Sequence, residues 1–324
     1  MLIKPFYGIQ IDTSNANYLQ IPFTYSNPAI WLLKKKKPSF YICRTTLDNH
    51  ICWGTIAQLS YDNSHKKVYK HESCFDGKLS DFGSTFENSN VQLSPTLLVH
   101  DNNTAIEEYI QLMMKSFPPD RIYNKGKDLY EIWVIPSNKR IIDIYNAIDY
   151  LFIADGHHRV SCLFSLNKDV CAYIVPKKCI RSYPIIRKYN SFKNSSSHFF
   201  ERIKTLFPVK SLTCEEINSW KGDYFALSYK GSNFALHTSD FLRTLASFST
   251  INYIEGRKPN FINYKYHSDH LKNIYHYTPN ENFYLLIPSI NINDFFPHPN
   301  ELLPVHSSWF EPKIPAGIFQ MEII

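Results

Sequence analysis

The densest chemistry in this sequence lies at Ile153-Ala154-Asp155-Gly156-His157-His158-Arg159. An apolar run ends there and a helical pattern begins, so the segment reads as a strand-to-helix junction. Such a junction offers first-turn N–H groups and the positive end of a helix dipole, which suit a phosphate or another anion. Arg159 adds a guanidinium able to donate two hydrogen bonds to one ligand. Gly156, His157 and His158 complete the expected phosphate or nucleotide cradle. Asp155, at the strand end, could orient a histidine, hold a magnesium ion or accept a proton. The plainer alternative makes Asp155 a helix cap and the histidines surface residues; two adjacent histidines followed by an arginine favour the functional reading.

A second cluster, Lys70-His71-Glu72, stands at the end of an expected strand and is followed by Lys78 and Asp81. A glutamate beside a histidine is ordinary on an exposed strand. It gains meaning if folding brings Glu72 to Asp155, because two carboxylates near a bound phosphate donor could divide metal binding and base catalysis. A third cluster runs from Pro304 to Lys313, where His306, Ser307, Ser308 and Lys313 could hold an anion or a polar substrate, or simply form a packed terminal strand. His71, Glu72, His157 and His158 are legitimate zinc ligands by type, but adjacent residues on one turn rarely reach the same ion. With no H-x-x-x-H or H-E-x-x-H spacing, no zinc site is expected.

The elements that must position these groups follow from periodicity. Ser39 to Thr46 and Ile51 to Tyr61 read as a hairpin about Asp48-Asn49, and Lys66 to Lys70 as a third strand. Ile106, Ile110, Met113 and Phe117 mark one face of a helix capped by Asn103 or Thr104. A strand at Glu131 to Ile135, a helix at Asn138 to Tyr150, a strand at Leu151 to Ala154, a helix at His157 to Leu166 and a strand at Cys171 to Pro176 follow. Beyond Asn194-Ser195-Ser196-Ser197, taken as the domain boundary, come a helix at Ser196 to Phe207 and a hairpin of Tyr224 to Tyr229 with Asn233 to Thr238. Helices near Asp240 to Phe248 and Ser268 to Tyr275 and a strand at Asn282 to Ile287 complete the reading. The expected class is mixed α+β, with antiparallel pieces rather than a doubly wound sheet. The expected domains are residues 1–194 and 195–324.

Composition narrows the setting. A chain of 324 residues, 44% of them hydrophobic, can bury one large core or two modest ones. Its longest apolar runs fall far short of the roughly 20 residues of a membrane helix, so no membrane partner is expected. The N-terminus has no secretory pattern, and a cytoplasmic location is expected. Seven cysteines, odd in number and without C-x-x-C, read as reduced thiols. The net charge of +6 owes much to Lys34 to Lys37, read as a solvated loop. Without a helix-turn-helix signal or a concentrated basic face, nucleic acid is not the expected partner.

The clusters also occur in the order and spacing of a family. The chain resembles the domain-of-unknown-function 1015 proteins, through Lys70-His71-Glu72 with Lys78 and Asp81, Ser94-Pro95, Ile153 to Arg159, and Pro304 to Lys313. It departs from that pattern at Phe82, where an arginine is expected, at His306 in place of a lysine, and at Ile185-Ile186 before Arg187, where the pattern reads Thr-His-Arg. The family in turn resembles the ParB and sulfiredoxin superfamily, which implies a nucleotide-handling N-terminal core and a smaller C-terminal domain completing the substrate site. That superfamily includes kinases of free L-serine. The resemblance implies Glu72 as catalytic base, Asp155 and His158 as further catalytic groups, and Gly156, His157, His158 and Arg159 as phosphate contacts. It implies His71, Arg187, His306, Ser307, Ser308 and Lys313 as substrate-binding groups. ATP or ADP, or pyrophosphate, would donate the phosphoryl group with magnesium, and the partners are a nucleotide and a small hydroxyl-bearing substrate. The alternatives are a nucleotide-binding switch and a family member that has lost phosphotransfer.

Overall fold

A computed structural model describes residues 2–11, 32–34, 37–64, 66–74, 76–189, 201, 203–229, 232–238, 244, 261–265, 283–294 and 302–323. The fold is mixed α and β. The chain divides into two compact units, one of residues 1–181 with 296–299 and 310–324, the other of residues 182–295 with 300–309.

The first unit is built on a nine-stranded sheet. Its strands are β1 (Ile3–Lys4), β2 (Ser39–Leu47), β3 (His50–Leu59), β4 (Val68–Tyr69), β5 (Thr96–His100), β6 (Arg121–Lys125), β7 (Asp128–Pro136), β8 (Leu151–Asp155) and β9 (Val170–Pro176). They lie in the order β4-β8-β5-β9-β3-β2-β7-β6, with β1 also on β3. Only β4/β8 and β5/β9 are parallel; the other pairs are antiparallel. The β2–β3 hairpin turns at Asp48 and Asn49, whose φ values of 46° and 62° make the two-residue turn that matches strand twist.

Besides a one-turn helix at Tyr61–Ser64, four longer helices of the described residues accompany the sheet: α1 (Asp76–Ser89), α2 (Thr104–Ser116), α3 (Lys139–Asn146) and α4 (His157–Ser165). Asn103 caps α2 through a bond from Ile106 N, 3.2 Å, and Ile106, Tyr109 and Ile110 face the core. Phe117, placed by periodicity on that face, is instead 57% exposed. The helix has already ended there, and the Phe117 carbonyl accepts from Trp133 Nε1 at 2.8 Å, which fixes the backbone with its ring outward. Helix α3 stops well short of the expected Tyr150. Lys67 takes the Ile148 carbonyl with its Nζ and the Leu151 N–H with its own carbonyl, both at 2.7 Å, so tertiary partners draw the chain into β8.

The expected third strand is reduced to β4, whose Val68 and Tyr69 pair with Leu151 and Phe152. Helix α1 has no counterpart in the sequence reading, since Gly77, Gly83 and a weakly apolar composition hide its period. A small sheet carries the C-terminal strand Gln320–Glu322 between Gly8–Ile11 and Val91–Gln92. Phe319 packs edge-on to Tyr41 at 4.5 Å, which ties the chain end into the first unit.

The second unit holds a six-stranded antiparallel sheet in the order Val209–Leu212, Ser232–Leu236, Ala226–Tyr229, Phe283–Ile287, Ile185–Tyr189, Phe261–Lys265. The expected hairpin and the strand ending at Ile287 are both present in it. Ile186, Ile217, Trp220, Ala226, Tyr284 and Leu286 form its core. Of the expected helix at Ser196 to Phe207, residues 201 and 203–206 are helical. The Ser-rich stretch, the helix near Ser268 and, apart from Thr244, the helix near Asp240 lie outside the described residues.

Candidate functional site

Strand β8 is buried from Leu151 to Ala154, as expected for an apolar run inside a sheet. Its pairing with β5 shifts register between Ile153 and Asp155. A bulge of this kind bends a strand and re-aims the next side chain. Asp155 therefore leaves the sheet partly exposed. Gly156 follows at φ 94° and ψ 27° and caps α4 without a side chain to bond the first-turn N–H groups.

Only glycine fits there. A Cβ would lie 2.8 Å from Thr96 Cγ2 and 3.0 Å from Arg159 Nη2, on a backbone that L side chains rarely adopt. Gly156→Ala is expected to cost about 1–3 kcal/mol in denaturant unfolding. Gly126→Ala is the control, because its φ is also positive, 65°, but nothing surrounds its Cβ; the difference between the two isolates the crowding.

Around Asp155 the charges are ordered. Its Oδ2 accepts from Arg159 Nη2 at 2.9 Å, and its Oδ1 meets Lys313 Nζ at 2.7 Å. Arg159 Nη1 also donates to the carbonyls of Ser94, 2.8 Å, and Pro95, 3.2 Å, and to the Ser94 hydroxyl. The guanidinium that the sequence offered as a bidentate phosphate ligand thus has both terminal nitrogens engaged within the protein. Two cations, Arg159 and Lys313, thus share the Asp155 carboxylate near the start of α4.

The second cluster reaches this turn through the fold. Beyond β4, His71 lies fully buried with its ring stacked on Phe152 at 4.8 Å and edge-on to Phe310 at 5.5 Å. Its Nδ1 lies 2.9 Å from the Ile153 carbonyl, 82 residues away in sequence, and 3.1 Å from His157 Nε2. Burial lowers the His71 pKa to about 4, the backbone hydrogen bond to Ile153 opposing only part of that. At neutral pH His71 is uncharged, so its 3.7 Å approach to Glu72 Oε1 is neither an ion pair nor a hydrogen bond. Glu72, His157 and His158 are all buried, and His158 stacks on Phe82 of α1 at 6.5 Å. Phe82, the position where the family pattern carries arginine, thus supplies a ring against one of the two histidines.

The structure therefore gathers His71, Glu72, Asp155, Gly156, His157, His158, Arg159 and Lys313 in the first unit. Asp81 is exposed on α1. Arg187, His306, Ser307 and Ser308 belong to the second unit. There Arg187, 1% exposed, donates from Nη2 to the His306 carbonyl at 2.7 Å, and Ser307 Oγ donates to the Pro304 carbonyl at 2.6 Å, so both hold the 304–308 turn.

Three contributors escaped the sequence reading as site residues. Ser94 anchors Arg159. Gln92, buried, fixes the Ser94 loop by donating from Nε2 to the carbonyls of Ser94 and Cys171 while its Oε1 accepts from Cys171 N, each at 2.8 Å. Phe152 gives His71 its stacking face. Gln92, in the polar stretch Ser89 to Thr96, and Phe152, in an apolar strand, carry no local signal of these roles. No disulfide joins the seven cysteines, which are free thiols.

The sequence matches a family model described as "Protein of unknown function (DUF1015)" over residues 28–294. Among curated proteins, none matches. Solved structures similar to the chain include a free serine kinase mutant in complex with ADP, at 15% identity and a TM-score of 0.49, covering 81% of this chain and 91% of that one. A conserved hypothetical protein from Pyrococcus furiosus is 17% identical with a TM-score of 0.48 over 81% and 93% of the respective chains. A C-terminally truncated SbnI from Staphylococcus aureus is 11% identical with a TM-score of 0.48 over 79% and 82%.

Proposed function

The chain belongs to the DUF1015 family, and on that premise we propose that it is a small-molecule phosphotransferase that moves a phosphoryl group from ATP or ADP to the hydroxyl of free L-serine or a related metabolite. One observation carries the reading: His71, next to the buried Glu72, contacts the Ile153 carbonyl and the His157 ring at the strand end that opens into the Gly156 turn. This contact supports reading the Glu72 carboxylate and the Gly156 turn, remote in sequence, as parts of one site.

In this reading the first-turn N–H groups of α4 and Lys313 hold the phosphates, where fixed donors neutralise charge without reorganising. Glu72 takes the proton of the acceptor hydroxyl as its oxygen attacks phosphorus and the bond to the nucleotide breaks. Asp155 serves by holding Lys313 and Arg159, and Arg159 by fixing the turn to the Ser94 loop. His158 lines the turn. The residues do not form a metal cage: each Asp155 oxygen already meets a cation, and no three metal-ligating side chains cluster among the described residues.

Purified protein incubated with L-serine and ATP, ADP or pyrophosphate, followed by ³¹P NMR, is expected to yield O-phosphoserine. A panel of other hydroxyl metabolites widens the acceptor search. Nucleotide binding with no phosphorylated product from any acceptor would favour a binding switch and end the transferase reading. No helix among the described residues is long and apolar enough to cross a membrane.

A further inference from the structure

We infer that His71 is a positioning residue that locks the His157 ring in a single neutral tautomer, with its proton on Nδ1 and its lone pair on Nε2. The Ile153 carbonyl oxygen can only accept a hydrogen bond. The Ile153 carbonyl lies 2.9 Å from His71 Nδ1, so that nitrogen carries the His71 proton. The same Nδ1 is 3.1 Å from His157 Nε2. A proton already on His71 Nδ1 makes this contact favourable only if His157 Nε2 presents a lone pair, in which case the N–H is shared between the carbonyl and the imidazole. His157 then keeps its own proton on Nδ1. A proton on His157 Nε2, in the other tautomer or in the imidazolium, would set two N–H groups against each other in a buried space.

His71 is built not to yield. It is fully buried, stacked on Phe152 at 4.8 Å, and edge-on to Phe310 at 5.5 Å and to His157 at 4.5 Å, so its ring has no room to turn. Its lowered pKa, about 4, keeps it neutral. The lock has two consequences at the turn. The first residue of α4 contributes no positive charge, which falls instead to Lys313, Arg159 and the helix terminus. The His71 Nε2 that faces Glu72 Oε1 at 3.7 Å is likewise a lone pair and gives Glu72 no hydrogen bond.

The tautomer stands independently of catalysis; its kinetic consequence rests on the phosphotransfer reading. Long-range ¹H–¹⁵N spectra of ¹⁵N-histidine-labelled protein at neutral pH test it, with His157 assigned from His157→Gln. The expected signature is a protonated Nδ1 and an unprotonated Nε2, the tautomer that free histidine disfavours. His71→Asn, whose carboxamide nitrogen replaces the Nδ1–H, is expected to retain it. His71→Leu is expected to move His157 to the Nε2–H form and to lower kcat by up to about a hundredfold through misplacement, with His71→Asn restoring most of that loss. A wild-type His157 with Nε2–H or as imidazolium overturns the inference, as does an unchanged His157 in a cooperatively folded His71→Leu. Should His71→Leu not fold, the wild-type and His71→Asn spectra decide. The expected tautomer with no phosphorylated product from any acceptor sinks the phosphotransfer reading alone.

Discussion

Glu72→Gln is expected to lower phosphotransfer by about 10²- to 10⁴-fold, the range of a lost general base, while nucleotide binding and folding persist. The substitution keeps the shape and polarity of a buried side chain and removes only its ability to take a proton. Glu72 is 5% exposed, so bulk water does not readily replace it as base. The measurement is a steady-state rate beside nucleotide affinity by calorimetry. An unchanged rate removes Glu72 from the chemistry. A matched loss of affinity would make it a binding residue instead.

The second large effect concerns acid. His71 and His100 are buried, and burial is the first cause lowering each pKa to about 4 from an ordinary value of 6.5. Hydrogen bonds to the carbonyls of Ile153 and Asp101, and for His100 the nearby Glu107 and Asp101 charges, oppose the shift without cancelling it. The unfolded chain protonates both histidines first. Their stabilisation is therefore complete above pH 6.5, falls as pH drops toward 4, and is gone below that. Each contributes about 3 kcal/mol, set against a domain stability on the order of 5–15 kcal/mol. Urea unfolding at pH 7, 5.5 and 4.5 should lose several kcal/mol across that window. His71→Asn, which cannot titrate, should flatten the slope by roughly half; an unaltered slope would refute the assignment to His71.

Much of the architecture was legible because local rules and tertiary demands agreed. Asp48-Asn49 satisfied a two-residue turn, Asn103 and Asn138 capped α2 and α3, and the apolar run at Leu151 could only be a buried strand. Where they disagreed, tertiary partners prevailed. Lys67 drew residues 148–151 out of a helix, and Trp133 fixed the Phe117 backbone with its ring in solvent.

The same division runs through the site. By itself the sequence determined the strand-to-helix turn, its glycine and the residue types around it, because those depend on backbone conformation and short-range spacing. It also marked Glu72 and Lys313 as candidates without saying what they meet. The tertiary structure alone decided that Lys313 and Arg159 share Asp155, that Gln92 and Ser94 hold Arg159 in place, and that His71 turns its Nδ1 toward both Ile153 and His157. Those contacts join residues tens of positions apart, and their charge states follow from burial. Burial belongs to the packed chain and to no short stretch of it.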